Sequence, residues 1–472
     1  MKYENRISKI SIEGLHDQFD FDIKLNPGLN IIYGKNGRGK TTILHILANA
    51  FELDFRRFSH LRFRRIHIST FGGSTLDLSK DEGGAIPSVT INGKRTSFDH
   101  QNPVLSDTEI VYLREMFGER PTYLPAFRSV LERIKQDNYS YYRDSDPLQK
   151  ELDEIMVNEY SSLRSNVIKN QIATPFENRP IREEANATAR KTMQCRQWFG
   201  DFVPVIRYPS IHEVEDRLTE EWRTAHLELT RRERKMFEEI FVKVFKTISG
   251  IDKPPSTADN ENLLASIESL LHDQEFRLES NDSSTIFHQL SQAAHQLTNG
   301  RTQQLQGIEN SVLNLYREML ETRNNEWKIA FQSSRDFETS IKKFFDKKTL
   351  RIGPIGIGQR LRKTVSIGGE SGHHYGITGL SSGEKQILTM LFSASRSRFS
   401  EGLFLIDEPE LSLHIDWQRI ILRELRGQSS DRQIIACTHS PEVGADHLDE
   451  TQDFEPRVTH ILQNSLFSDE DI

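Results

Sequence analysis

The stretch GKNGRGKTT, Gly34 to Thr42, limits the folds open to this chain more than any other segment. It satisfies G-x-x-x-x-G-K-[ST] and stands between a β-branched run, LNIIY, and a run of helical period, TTILHILANAF. A loop in that position needs glycines, because its backbone N–H groups must close around phosphate oxygens. It also ends at a helix N-terminus, whose partial positive charge favours an anion. The pattern assigns Gly34, Lys35, Asn36, Gly37, Arg38, Gly39, Lys40, Thr41 and Thr42 to a phosphate cradle, with Lys40 on the β- and γ-phosphates and the Thr41 hydroxyl on Mg²⁺.

Around this loop, ISKISIEGL, FDFDIKL and LNIIYG alternate like strands, and RIHIST, SVTING and EIVYL, separated by glycine turns, extend a β-rich lobe. Further along, charged residues become dense, glycine becomes scarce and apolar positions recur at helical spacing, with Trp222, Leu227, Phe237, Ile240, Phe241 and Phe245 as one core face. Breaks at PFENRP (175–180), PVIRYPS (204–210) and IDKPPSTADNEN (251–262) argue against a continuous coiled coil. Glycine turns then return, followed by a helix from Glu384, the apolar strand GLFLI, a helix around IDWQRIILREL and the strand QIIAC. Strands alternating with helices imply a parallel sheet covered on both faces. The expected fold is α/β, a P-loop NTPase with a β-rich N-terminal lobe (1–120), a helical insertion (121–350) and a C-terminal lobe (351–472).

Two more stretches carry chemistry. In GLFLIDEPE an apolar strand delivers Asp407 and Glu408 to its buried end, where carboxylates need a partner such as a metal. Asp407 suits a water-mediated hold on Mg²⁺, and Glu408 is placed to orient or deprotonate an attacking water. QIIAC runs into THSPEV and puts His439 at the carboxyl edge of the sheet, where open α/β sheets place their ligands. LSSGEKQ (380–386) has a serine before an apolar helix and Glu384 close behind, the signature of an N-cap. Such a capped end, with serine hydroxyls and free N–H groups, is also a phosphate-binding end.

Composition excludes several classes. The two cysteines, Cys195 and Cys437, form no CxxC or Cys/His group, so neither a disulfide scaffold nor a structural zinc site is expected. The apolar runs are too short to span a bilayer and MKYENRISKISIEG has no signal-peptide core, so a cytoplasmic protein without membrane contact is expected. A net charge of -8 disfavours non-specific nucleic-acid binding, although FRRFSHLRFRR (55–65) interleaves arginine with aromatics as nucleic-acid surfaces do. Pairs such as His288 and His295 lack acidic or cysteine partners that would complete a metal set, and the tyrosines of DNYSYYRD (137–144) suit either a partner surface or packing.

The ordered set GKNGRGKTT, LSSGEKQ, LFLIDEPELSLH and THSP resembles the motifs of ABC-type ATPases of the kind shared by SMC, RecF and OLD-family proteins. DEPELSLH followed by Gln418 is similar to the OLD-like branch, with Ile415 where that branch usually has proline. The resemblance implies ATP and Mg²⁺ as cofactors, and at least a homodimer with ATP between two heads. It places Ser381 and the backbone of Ser382 and Gly383 on the γ-phosphate held by the partner copy, Glu408 as catalytic base, His439 as the switch residue and Ser412 to His414 as the D-loop. For the Q-loop the candidates are Gln101, in HQNP, and PTYLPAFRS (121–129). Overall organisation resembles the stand-alone ATPases of bacterial anti-phage systems, that of PARIS first and of Septu next. That likeness implies a sensor or scaffold that holds a separately encoded nuclease until a phage-encoded trigger releases it. The alternative is a RecF/SMC-like ATPase that binds DNA directly.

Overall fold

The computed structural model describes residues 3–80, 86–98, 105–131, 147–169, 178–249, 307–353, 364–369, 372–395, 402–428 and 432–458, with 263, 266, 267, 269 and 270. Gln101, the tyrosines of 137–144, His288 and His295 lie outside these residues. The chain forms two compact units, one of Met1–Val214 with Leu380–Ile472, the other of Glu215–Gly379.

The first unit opens with β1 (Ile7–Leu15) and β2 (Phe19–Lys24), then β3 (Leu29–Tyr33) and helix α1 (Lys40–Glu52). A meander of β4 (Arg65–Thr70), β5 (Thr75–Ser79), β6 (Ser88–Ile91) and β7 (Lys94–Arg95) follows, then α2 (Asp107–Phe117) and β8 (Thr122–Leu124). Helices α3 (Arg128–Leu131), α4 (Pro147–Lys169) and α5 (Asn178–Phe199) lead to α6 (Ile211–Ile248), which continues into the second unit.

EIVYL, expected as a strand, lies in α2. Ser106 and Glu109 form a reciprocal capping box there, and the apolar residues fall at helical spacing, so that Leu113 and Phe117 are buried. The first unit takes in α4 and the loop before α6, which buried ions pin to the end of α1. Arg207 meets Glu52 at 2.8 Å and Glu159 at 2.6 Å, and Arg120 meets the same two carboxylates at 3.0 and 2.8 Å. Burial opposes ionisation of Glu52, but Arg207 and Arg120 hold its carboxyl below the usual range.

In the second unit, α7 (Gly307–Lys342) pairs with α6 through Arg323–Glu233 and Arg232–Glu326, each at 2.5 Å. Phe237 and Ile240 pack against the cluster of Leu263, Ile267, Met319 and Leu320. Leu227, Phe241 and Phe245, expected on the same core face, are exposed. An antiparallel sheet of β9 (Lys348–Ile352), β10 (Val365–Gly369) and β11 (His374–Tyr375), in the order β11-β10-β9, completes this unit.

The chain re-enters the first unit at Leu380 with α8 (Ser382–Ser395), β12 (Leu403–Asp407), α9 (Ile415–Gln428), β13 (Gln433–Thr438), α10 (Pro441–Gly444), β14 (Thr451–Asp453) and β15 (Arg457–Val458). A seven-stranded sheet runs β15-β2-β1-β4-β5-β6-β7, and a five-stranded sheet, parallel throughout, runs β14-β3-β13-β12-β8. Every residue of β12 and β13 is buried, as helices on both faces of a parallel sheet require. The result is a P-loop ATPase fold of α/β class, as its sequence predicts.

Gly402 enters β12 against the backbone of the preceding crossover: a Cβ there would lie 2.4 Å from the Arg120 carbonyl oxygen. Gly427, within α9, faces open space. Thermal unfolding should separate the two. Gly402→Ala is expected to lower the midpoint by the equivalent of about 1–3 kcal/mol of overpacking, and Gly427→Ala to raise it by about 0.5–1 kcal/mol.

Candidate nucleotide-binding site

The parallel register brings three strand ends to one edge. Ile434 to Thr438 pair with Leu29 to Tyr33, and Leu403 to Asp407 pair with Gln433 to Cys437, so the loops after β3, β12 and β13 emerge side by side. The first is Gly34–Lys40, where Gly37 (φ 76°) and Gly39 (φ 92°) take left-handed conformations that a side chain would strain. Lys40 is buried, and its Nζ donates to the Gly34 carbonyl at 2.6 Å and the Lys35 carbonyl at 3.1 Å. Lys35, Asn36, Gly37 and Arg38 are exposed, as is Thr41, while Thr42 is half-buried.

At the end of β12, Asp407 is 1% exposed. Its Oδ2 accepts the Thr41 hydroxyl at 2.8 Å, and its Oδ1 is buried without a hydrogen-bond partner. Burial pushes the Asp407 pKa up to about 6, against the pull of the Thr41 hydrogen bond, Arg128 and Lys40. A hydroxyl and a buried carboxylate in contact, with one carboxylate oxygen unclaimed, form the hard-oxygen donor set that suits a hydrated Mg²⁺. The residues fit the ion that the sequence assigns to them.

Glu408 follows with φ 49°, which turns the chain sharply out of the strand. Its Oε1 lies 3.9 Å from Lys40 Nζ, and its Oε2 pairs with Nδ1 of the exposed His439. Burial raises the Glu408 pKa to about 7; the adjacent Glu410 adds to this and His439 opposes it. Lys40, Glu408 and His439 therefore meet through side chains from three loops.

Ser381, Ser382 and Gly383 form a separate group. Ser381 is the N-cap of α8: its N–H donates to Glu384 Oε2 at 2.8 Å, and Glu384 N–H donates back to the Ser381 hydroxyl at 3.4 Å. The helix thus starts at Ser382, two residues before the expected Glu384. Both serines are exposed. Gly383 is buried against the D-loop candidate, where a Cβ would sit 2.7 Å from the Ser412 carbonyl oxygen.

Two side chains that sequence reasoning missed hold these loops. Glu410 Oε1 accepts the Thr438 hydroxyl at 2.5 Å and the N–H groups of His439 and Ser440 at 3.0 Å each. Arg128, from PTYLPAFRS, is fully buried and donates to the carbonyls of Pro125, Asp407, Glu408 and Pro409. The available signals were the second glutamate of DEPE and a single arginine in an otherwise apolar, proline-bounded stretch. Removing the three-donor acceptor has a local consequence. In Glu410→Ala, hydrogen-exchange mass spectrometry should show faster exchange of the His439 and Ser440 amides, while β3 amides keep their protection; Glu410→Gln, which retains an acceptor oxygen, should lose less.

No curated protein matches the chain. Similar solved structures include the crystal structure of the Smc head domain with an extended coiled coil, bound to the C-terminal domain of ScpA, from Pyrococcus furiosus. It shares 13% identity at a TM-score of 0.37, over 93% of this chain and 91% of that one. The Smc head domain with a coiled coil and joint from Pyrococcus yayanosii shares 14% at 0.38, over 96% of each chain. An SmcHead bound to the C-winged helix domain of ScpA shares 11% at 0.39, over 96% of this chain and 97% of that one. The family described as AAA ATPase domain matches residues 6–443, from the first strand to the helix after His439. With the phosphate loop, both carboxylates and the strand-end histidine inside that span, the chain belongs to the AAA ATPase domain family.

Proposed function

We propose that this chain binds ATP with Mg²⁺ at Gly34–Thr42 and hydrolyses it, with Glu408 as base, in ABC-type sites completed by Ser381–Gly383 of a second copy. The observation that carries this reading is the meeting of Glu408 with Lys40 on one side and His439 on the other. Lys40 is already buried at the phosphate loop, and its ammonium donates its hydrogen bonds to two neutral carbonyls, which anionic β- and γ-phosphate oxygens would replace favourably. Mg²⁺, when held by Thr41 and Asp407, screens the triphosphate charge. Glu408 takes a proton from water as the water oxygen bonds to the γ-phosphorus and the bond to the ADP oxygen breaks. A pKa near 7 suits a base at neutral pH. His439, hydrogen-bonded to the same carboxylate, orients it and offers its ring to the γ-phosphate.

The second copy is supported by the signature itself. Ser381 and Ser382 are exposed at a helix N-terminus, where a second copy could reach them, and Gly383 packs against the Ser412 carbonyl. We further propose a place for this ATPase in the cytoplasm as sensor and scaffold of an anti-phage system, where the ATP-bound assembly holds a separately encoded nuclease and a phage-encoded trigger releases it. The support is the likeness of DEPELSLH and Gln418 to the OLD-like branch and the split of the ATPase unit by a helical second unit. The RecF/SMC-like reading, with direct DNA binding, draws on the arginines of 55–65. Each of those faces a carboxylate: Arg56 with Glu154, Arg57 with Glu151, Arg62 with Asp17, Arg64 with Asp20 and Arg65 with Asp77. Among the described residues no helix is long and apolar enough to cross a membrane.

ATP turnover tests the catalytic reading. Lys40→Ala is expected to lose ATP binding, Glu408→Gln to keep binding and lose turnover by roughly 10²–10⁴-fold, and Ser381→Arg to bind ATP without hydrolysing it. Mixing Ser381→Arg with Lys40→Ala should restore part of the rate, because one mixed site is intact; full activity of Ser381→Arg alone would dismiss the shared site. The cellular reading is separable by two binding experiments. Duplex DNA should bind weakly with or without ATP, and the product of the adjacent gene should co-purify only with ATP; tight DNA binding with a steep salt slope would favour the RecF/SMC-like alternative.

A further inference from the structure

We infer that Arg128 is a positioning residue for hydrolysis, acting through the main chain of Glu408 to hold that residue in the left-handed turn that presents its carboxylate to Lys40 and His439. The inference rests on the reading of Glu408 as the base.

Glu408 has φ 49°, a conformation that an L side chain keeps only where its surroundings over-determine it. Central to those surroundings is one guanidinium. Arg128 Nη1 donates to the Asp407 carbonyl at 2.9 Å and to that of Pro125 at 3.1 Å, and Nη2 donates to the carbonyls of Glu408 at 2.7 Å and Pro409 at 3.2 Å. Carbonyls of consecutive residues in an extended strand alternate in direction, so three in a row converge on one cation only if the chain curls. The curl begins where strand pairing stops, since the Glu408 N–H still donates to the Cys437 carbonyl at 2.8 Å. It closes with the Leu411 N–H donating to the Glu408 carbonyl at 3.1 Å. Arg128 fills the gap between those two constraints.

Arginine suits the task because its planar fork presents several donors in fixed directions, whereas a lysine offers one compact centre. Its position follows from the fold. β8 pairs with β12 from Thr122–Phe404 to Leu124–Ile406, and continuing that register through Pro125 carries Arg128 past the carboxyl end of the sheet and under the turn. Arg128 is 1% exposed, and burial pulls its pKa down, so carbonyl dipoles and the charges of Asp407 and Glu410 must sustain the cation there. A buried arginine whose two Nη groups donate to main-chain carbonyls beside the base fixes geometry there.

The test uses the full chain with Arg128→Lys and Arg128→Gln, each compared with the unaltered protein for thermal midpoint, ATP affinity and single-turnover hydrolysis. If Arg128 positions Glu408, hydrolysis falls at least tenfold in a folded variant while ATP affinity stays within about threefold, and Lys retains more rate than Gln. In a Glu408→Gln background the same substitutions then lower the residual rate no further than about twofold. Hydrolysis within twofold of the unaltered chain, losses of affinity and rate in step, additive losses in the Glu408→Gln background, or failure of both variants to fold would each overturn the inference. Failure of the catalytic reading itself looks different: the unaltered chain and its Glu408→Gln variant would then hydrolyse ATP at the same rate.

Discussion

Desolvation of two adjacent carboxylates governs this molecule. The apolar strand Leu403–Asp407 drives Asp407 into the interior and leaves Glu408 half-buried, and ions placed there must be compensated. Compensation comes from every direction: the Thr41 hydroxyl and Lys40 from the phosphate loop, His439 from the next strand end and Arg128 from beneath. The partners come from segments that follow three different strands, β3, β13 and β8, so the five-stranded sheet must close in one register before both carboxylates are satisfied. Burial nevertheless wins, leaving Asp407 at about 6 and Glu408 at about 7. Charge that the protein leaves undersatisfied is charge that a metal and a proton can claim.

A second set of buried ions fixes the frame around the site. Glu52, at the end of the helix that begins with Lys40, is held by Arg207 and Arg120, and both arginines also reach Glu159 on α4. One residue further on, Tyr208 reaches the Thr389 hydroxyl on α8, the helix whose first turn carries the signature serines. The irregular segment 203–210 thus bonds both to the phosphate-loop helix and to the signature helix before the chain enters α6. Such buried networks contribute little net stability, but breaking one partner is costly because the others are left charged and dry. Their value here is that they fix which surfaces pack together.

Legibility in the sequence followed the range of the interaction. The phosphate loop, DEPE and THSP were readable because each packs its chemistry into a few consecutive residues between elements of clear period. EIVYL suits a strand as well as a helix because four of its five residues are apolar, and the capping box of Ser106 with Glu109, the first residue of that stretch, decides for helix. Arg128 and Glu410 escaped because their partners are main-chain carbonyls and N–H groups, which leave no trace in residue type. Composition turns helical near 120, and only the ion pairs of Arg120 and Arg207 show that α4 and the loop before α6 are tied to the first unit.

By itself, the sequence determined that this chain carries a P-loop NTPase of α/β class, and which residues are candidates for phosphate, metal and water, because motif spacing and hydrophobic period are local properties written in residue order. Tertiary structure alone decided that Lys40, Glu408 and His439 meet, that Gly383 packs on Ser412, and that Arg128 and Glu410 hold the turns between them. Those outcomes depend on strand register and on the cost of dry charge, quantities that exist only once residues hundreds of positions apart share one interior.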